Sequence, residues 1–86
     1  MDELFLGSFG WKKFNFAYWL IEQGADVNAA DDQGNTTLMM AVKRKDEDHI
    51  RRLIKLGADP DQENAKGMSA RQIAVEKGPR RLLDLL

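Results

Sequence analysis

The chain has no cysteine, a single histidine and only two prolines among its 86 residues. Without cysteine there can be no disulfide, no thiolate metal ligand and no thiol nucleophile, and such a composition suits the reducing cytoplasm. No charge of one sign dominates: 13 basic residues face 14 acidic ones, for a net charge of −1. That balance gives no global field toward nucleic acid or an anionic membrane. The apolar runs fall far short of the ~20 residues of a membrane span, and the start Met1-Asp2-Glu3 is too acidic for a signal peptide. Phosphate loops, nucleophile elbows and metal-ligand spacings are also missing. The expectations are therefore no catalytic residues, no metal, no cofactor, no membrane and a cytoplasmic location. The length fits one domain, 1–86, near the size at which a single core is marginal, and a hydrophobic fraction of 43% is enough to fold it.

What the chain does have is self-similarity. Leu20-Ile21-x-x-Gly24-Ala25-Asp26-Val27-Asn28 returns as Leu53-Ile54-x-x-Gly57-Ala58-Asp59-Pro60-Asp61. The same offset relates Gly34 to Gly67, Thr36 to Ser69, Ala41 to Ala74, Val42 to Val75 and Leu53 to Leu86. A fixed period of ~33 residues marks a stacked array of helical units. Arrays of that kind present binding surfaces, so the repeat points away from catalysis before any single residue is weighed.

The middle unit is the clearest. Asp31-Asp32-Gln33-Gly34 carries turn chemistry, with Gly34 supplying a positive φ. Thr36 stands where a helix N-cap belongs, ahead of the apolar Leu38 to Val42, and Lys43-Arg44-Lys45 closes that helix. Asp46 can cap a second helix with Glu47 and Asp48 in its first turn and Arg51, Arg52 and Lys55 toward its end, as the helix dipole favours. Ile50, Leu53 and Ile54 form its buried stripe, and Gly57 stops it. In the third unit Ser69 and Gln72 have capping-box spacing, Gly78 breaks the helix, and Pro79 is expected at the first position of the next. In the first unit Asp2 to Gly10 align with the first helix and residues 11–22 with the second helix and its approach, with Gly7-Ser8 standing in for Met40-Ala41. The expected units are approximately 1–30, 31–63 and 64–86.

In these pieces the chain resembles the ankyrin-repeat family over essentially its whole length. Gly24-Ala25-Asp26-Val27-Asn28-Ala29, Asp31-Asp32-Gln33-Gly34-Asn35-Thr36-Thr37-Leu38 and Gly67-Met68-Ser69-Ala70-Arg71-Gln72-Ile73-Ala74 carry the resemblance in register. It implies an all-α solenoid, a right-handed stack of helix-turn-helix units joined by β-hairpin-like turns. The family's Thr-Pro-Leu-His reads Thr36-Thr37-Leu38-Met39 and Ser69-Ala70-Arg71-Gln72, which removes the histidine bonds between neighbouring repeats. Its Gly-His between helices reads Lys45-Asp46 and Gly78-Pro79. Both departures imply lower stability rather than a different fold.

The resemblance further implies a protein-binding scaffold whose contacts come from hairpin tips and the concave face of each first helix. On this chain those positions are Trp11, Asp32, Gln33, Asn35, Lys43, Arg44, Lys66, Met68 and Lys77, with Ala65 and Glu76 beside them. Tryptophan and arginine are common interface anchors. The partner would be another protein, and so short a chain would serve as a small adaptor, inhibitor or immunity-type protein. The alternative is structural: a piece of a longer array, or a homodimer assembled through its N-terminal unit. Nucleic-acid binding along the lysines, with Trp11 as a stacking platform, is a third reading that the balanced charge disfavours.

Every aromatic residue falls between Phe5 and Trp19. Either the first unit closes its own core with large side chains, or some of these form an exposed patch for a partner or second copy, or repeats upstream have been removed. Phe9, Phe14 and Trp19 do not all fit inside so thin a layer, so some exposure is expected. Lys43-Arg44-Lys45 beside Asp46-Glu47-Asp48 reads as a solvated corner, or as part of a basic concave strip for an acidic partner. His49 aligns with Phe16 and Leu82 and is expected to pack rather than to ligate or act as a base. Asn28 matches a hairpin asparagine that some family members carry hydroxylated. Its first expected role is structural.

Overall fold

A computed structural model describes residues 2–86; Met1, counted above in the first unit, lies outside them. Six helices follow in order: α1 (Asp2–Gly10), α2 (Phe14–Glu22), α3 (Thr37–Arg44), α4 (Glu47–Lys55), α5 (Ala70–Lys77) and α6 (Arg81–Leu85). Among the described residues the only β pairing is two isolated antiparallel bridges, Ala30 with Thr36 and Glu63 with Ser69. Each odd-numbered helix packs on its successor, while α1 leans on α3, α3 on α5 and α4 on α6. The architecture is all-α, a stack of helix pairs joined by hairpin-like turns.

Local chemistry sets the helix ends. Thr36 Oγ1 accepts from the Met39 N–H at 3.3 Å, and the Met39 sulfur accepts the Thr36 N–H at 3.5 Å. Ser69 and Gln72 make the stronger oxygen version of the same box, at 3.2 Å in both directions. Methionine thus supplies a weak local bond, not one between neighbouring units. Asp46 caps α4 through the His49 N–H. At the far ends of α2 and α4, Gly24 and Gly57 take positive φ, and the N–H groups of Ala25 and Ala58 return to Leu20 and Leu53. α3 ends on Lys45, a left-handed residue at φ 57°, in the slot where the family carries glycine.

Pro79 departs from its expected place at the first helical position. α6 starts only at Arg81, and the Pro79 carbonyl instead accepts the Leu82 N–H of a tight turn leading into it. Val75 also departs from its repeat partner: Val42 is fully buried beneath α5, whereas Val75 is 64% exposed because none of the described helices covers that side of α5.

The core runs through all three helix pairs. Phe5, Phe9, Leu38, Met39, Val42, Ile50, Leu53 and Leu82 are fully buried. Between the first two pairs, His49 stacks on Phe14 with ring centroids 3.8 Å apart and shares a 2.6 Å hydrogen bond with the Tyr18 hydroxyl. The Arg52 guanidinium lies over the Tyr18 ring at 3.8 Å. His49 is therefore the packing histidine expected of it. The aromatic cluster divides: Phe5, Phe9 and Tyr18 are inside, Phe14 is half-buried, and Trp11, Phe16 and Trp19 are exposed.

Candidate functional site

The two described hairpins are built alike. Asp31 Oδ1 accepts the N–H groups of Gln33 and Asn35, and at the same slot one period later Asn64 Oδ1 accepts those of Lys66 and Met68. Gly34 is required twice over: its φ is 80°, and a Cβ there would sit 2.9 Å from the Asn64 backbone of the next hairpin. That close approach lets the Ala65 N–H donate to the Gln33 carbonyl at 2.9 Å. The tips are thereby locked edge to edge with fixed spacing.

Three grooves line the side formed by the hairpins and the first helix of each pair. Between the hairpins, a groove of about 130 Å³ is walled by Gln33, Asn35, Lys43, Asn64, Ala65 and Lys66. It adjoins a second of about 220 Å³ that shares Lys43, Asn64 and Lys66 and adds Met68, Ile73, Glu76 and Lys77. The third, of about 550 Å³, lies toward the first helix and is lined by Glu3, Leu6, Ala30, Asp31, Asp32 and Gln33. The concave side is therefore polarised, acidic at the first hairpin and lysine-rich beyond it.

Of the residues expected on this surface, Gln33, Asn35, Lys43, Lys66, Met68 and Lys77 come together in the two lysine-rich grooves. Asp32 belongs to the acidic one. Arg44 is engaged elsewhere: it donates to the carbonyls of Phe9 and Gly10 at 3.1 and 2.9 Å, tying off the end of α1. Trp11 is 82% exposed but lines a different groove, with Leu4, Gly7 and Phe16 on the outer side of the first helix pair. Asn64 and Ile73 were not singled out by sequence. The repeat offset from Asp31 was the available signal for Asn64.

The shifted titrating groups belong to structure rather than to a reactive centre. Burial pushes the Tyr18 hydroxyl up to about 12; Arg52 opposes the shift and Asp46 adds to it. The Arg71 guanidinium, hydrogen-bonded at 2.8 Å, holds the Asp61 carboxyl below its usual range. Among the described residues no group of three or more His, Cys, Asp or Glu is placed to hold a metal. No helix among them is long and apolar enough to cross a membrane.

A family model described as ankyrin repeats (3 copies) matches residues 8–86. An ankyrin repeat protein of Rickettsia felis is 39% identical over 57 residues, which is 66% of this chain and 21% of that protein. Human ankyrin repeat domain-containing protein 63 is 34% identical over 71 residues, 83% of this chain and 19% of that protein. The match thus spans about a fifth of the length of these relatives. Among solved structures, the ankyrin repeat domain of Bcl-3, a unique member of the IkappaB protein family, superposes with a TM-score of 0.81 at 25% identity. That superposition covers 94% of this chain and 34% of the Bcl-3 chain.

Proposed function

Since the chain belongs to the ankyrin-repeat family, whose repeats generally serve as non-catalytic protein–protein interaction modules, we propose that it binds an acidic segment of a partner protein along the lysine-rich concave grooves. The observation that carries this reading is the convergence of Lys43, Asn64 and Lys66 in two adjoining grooves held at fixed spacing by the Gly34–Asn64 contact. Lys77 extends the positive strip, and Asn35 and Gln33 offer hydrogen bonds beside it. Met68 supplies an adaptable apolar contact. Asp32, in the acidic groove, would meet the end of the partner segment that carries positive charge. Such a surface acts by occupying its partner, as in an adaptor or an inhibitor. The chain's lack of cysteine suits a cytoplasmic setting.

The test is selection from a displayed random-peptide library, followed by titration of the enriched peptides against the chain and against the double variant Lys43→Glu/Lys66→Glu. Acidic peptides are expected to be enriched, with affinity reduced roughly a hundredfold in the double variant. Enriched peptides that bind both proteins equally reject the concave site.

A further inference from the structure

The outer side of the first helix pair exposes large apolar side chains. Leu4, Trp11, Phe16 and Trp19 are 58%, 82%, 43% and 49% exposed, and Phe16 and Trp19 stack with centroids 5.8 Å apart. One repeat period later the same positions are Thr37, Arg44, His49 and Arg52. Of these, Arg44 bonds the end of α1, His49 packs on Phe9, Phe14 and Tyr18, and Arg52 covers Tyr18. Thr37 is fully buried. The four apolar side chains therefore occupy the positions through which a helix pair meets its neighbour. Together they expose roughly 500–600 Å², at the upper end of what an ordinary monomer leaves bare.

We infer that this face binds a second copy of the chain about a two-fold axis, with α1 antiparallel to α1 of its mate and the axis near Gly7-Ser8. The reading uses none of the lysines of the concave grooves and shares only Glu3 with the acidic one. Two observations favour a second copy in this orientation. First, Glu3 in the first turn of α1 and Lys13, which stands at the start of α2 just beyond the end of α1, both line the groove, and the midpoint between them in the sequence is Ser8. A two-fold axis there sets each Glu3 beside the mate's Lys13 and each Leu4 beside the mate's Trp11, so the face is complementary to itself. Second, Gly7 has no reason within one copy: it lies inside a helix, where glycine is disfavoured, and a Cβ would meet nothing within 4 Å. A notch at the axis gives it a reason, since α1 of the mate can approach closely.

Head-to-tail stacking of copies fits less well. The opposite end of the molecule presents Val75 together with the exposed Arg80 and Asp84, two periods on from Phe9, Phe14 and Tyr18. Setting that end on Phe16 and Trp19 would desolvate both charges. With Glu3, Gly7 and Lys13 added, the N-terminal face approaches the ~800 Å² per partner of a standard interface.

Sedimentation equilibrium of the purified full chain, in a dilution series up to about 0.5 mM, tests the proposal together with five variants. The wild type is expected to move between monomer and dimer with no larger species. Trp11→Arg and Gly7→Ala are each expected to weaken dimerisation roughly tenfold or more, with circular dichroism unchanged because neither side chain is needed inside one copy. Glu3→Lys and Lys13→Glu should each weaken it roughly fivefold, and the double exchange should restore it. A wild type that stays monomeric throughout overturns the proposal. So does a concentration-dependent ladder of larger species, which would mean head-to-tail stacking. Failure of the charge exchange to rescue would overturn the two-fold arrangement.

Discussion

Tyr18 is the only tyrosine in the protein, so its titration can be read without ambiguity. Burial raises its pKa from the ordinary 10.0 to about 12. Between those values the folded protein keeps a proton that the unfolded chain has lost. This contribution to stability is therefore complete below pH 10 and disappears as the pH rises through about 12. Absorbance at 295 nm should show a midpoint near 12 under native conditions and near 10 in denaturant. The Tyr18→Phe variant should lack this alkaline loss while giving up the bond to His49. A native midpoint near 10 would mean that the Tyr18–His49–Arg52 cluster is open to water. His49 itself could be assigned to packing from sequence, because its repeat partners Phe16 and Leu82 are apolar. The role of Arg44 could not, since its acceptors Phe9 and Gly10 lie on another helix and are backbone carbonyls that leave no mark in sequence.

At the scale of the element, α3 stops on Lys45 at φ 57° and the preceding unit turns at Lys12 with φ 63°. These residues lie one repeat period apart, both in a conformation that disfavours any side chain with a Cβ. Lys45→Gly should stabilise the protein by about 1 kcal/mol in a urea titration. An unchanged or lower midpoint would mean that the lysine side chain compensates for the strain. The ends of α3, α4 and α5 were legible in the sequence because capping is decided by residues within one turn of each other: Thr36, Asp46, Ser69 with Gln72, and Gly57. The start of α6 was misread, because Pro79 is compatible with a helix start but also with the turn it makes. The site was legible only in part. Gln33, Asn35, Lys43, Lys66, Met68 and Lys77 fall on one side because the period fixes their direction. Which wall Trp11 lines, and whether Val75 is covered, depend on neighbouring helices that no local pattern encodes.

For the molecule as a whole, stability rests on contact between successive pairs, and Leu53 sits where those contacts meet. It is fully buried in α4, which packs against both α3 and α6. Leu53→Ala should cost about 2–5 kcal/mol, a large share of the ~5–15 kcal/mol available to a small domain. A loss below about 1 kcal/mol would be incompatible with continuous stacking through the middle pair. The two edges of the stack are joined differently. Along the hairpin edge, Asn28 bonds Gly57, Asp59 and Gln62, Asn35 bonds Asn64, and Gln33 bonds Ala65. Along the opposite edge, Tyr18 bonds His49 between α2 and α4 and Arg81 bonds Glu47 between α6 and α4, and the rest of that edge is apolar contact through side chains such as Ile50 and Leu82. Hydrogen bonds prescribe a length, whereas apolar contacts prescribe only closeness and tolerate sliding. The hairpin edge, with more of these bonds between successive units, is expected to behave like the spine of a book and keep its length under load, while the helix pairs fan or close at the other side. Length is thus set at one edge of the stack and curvature at the other.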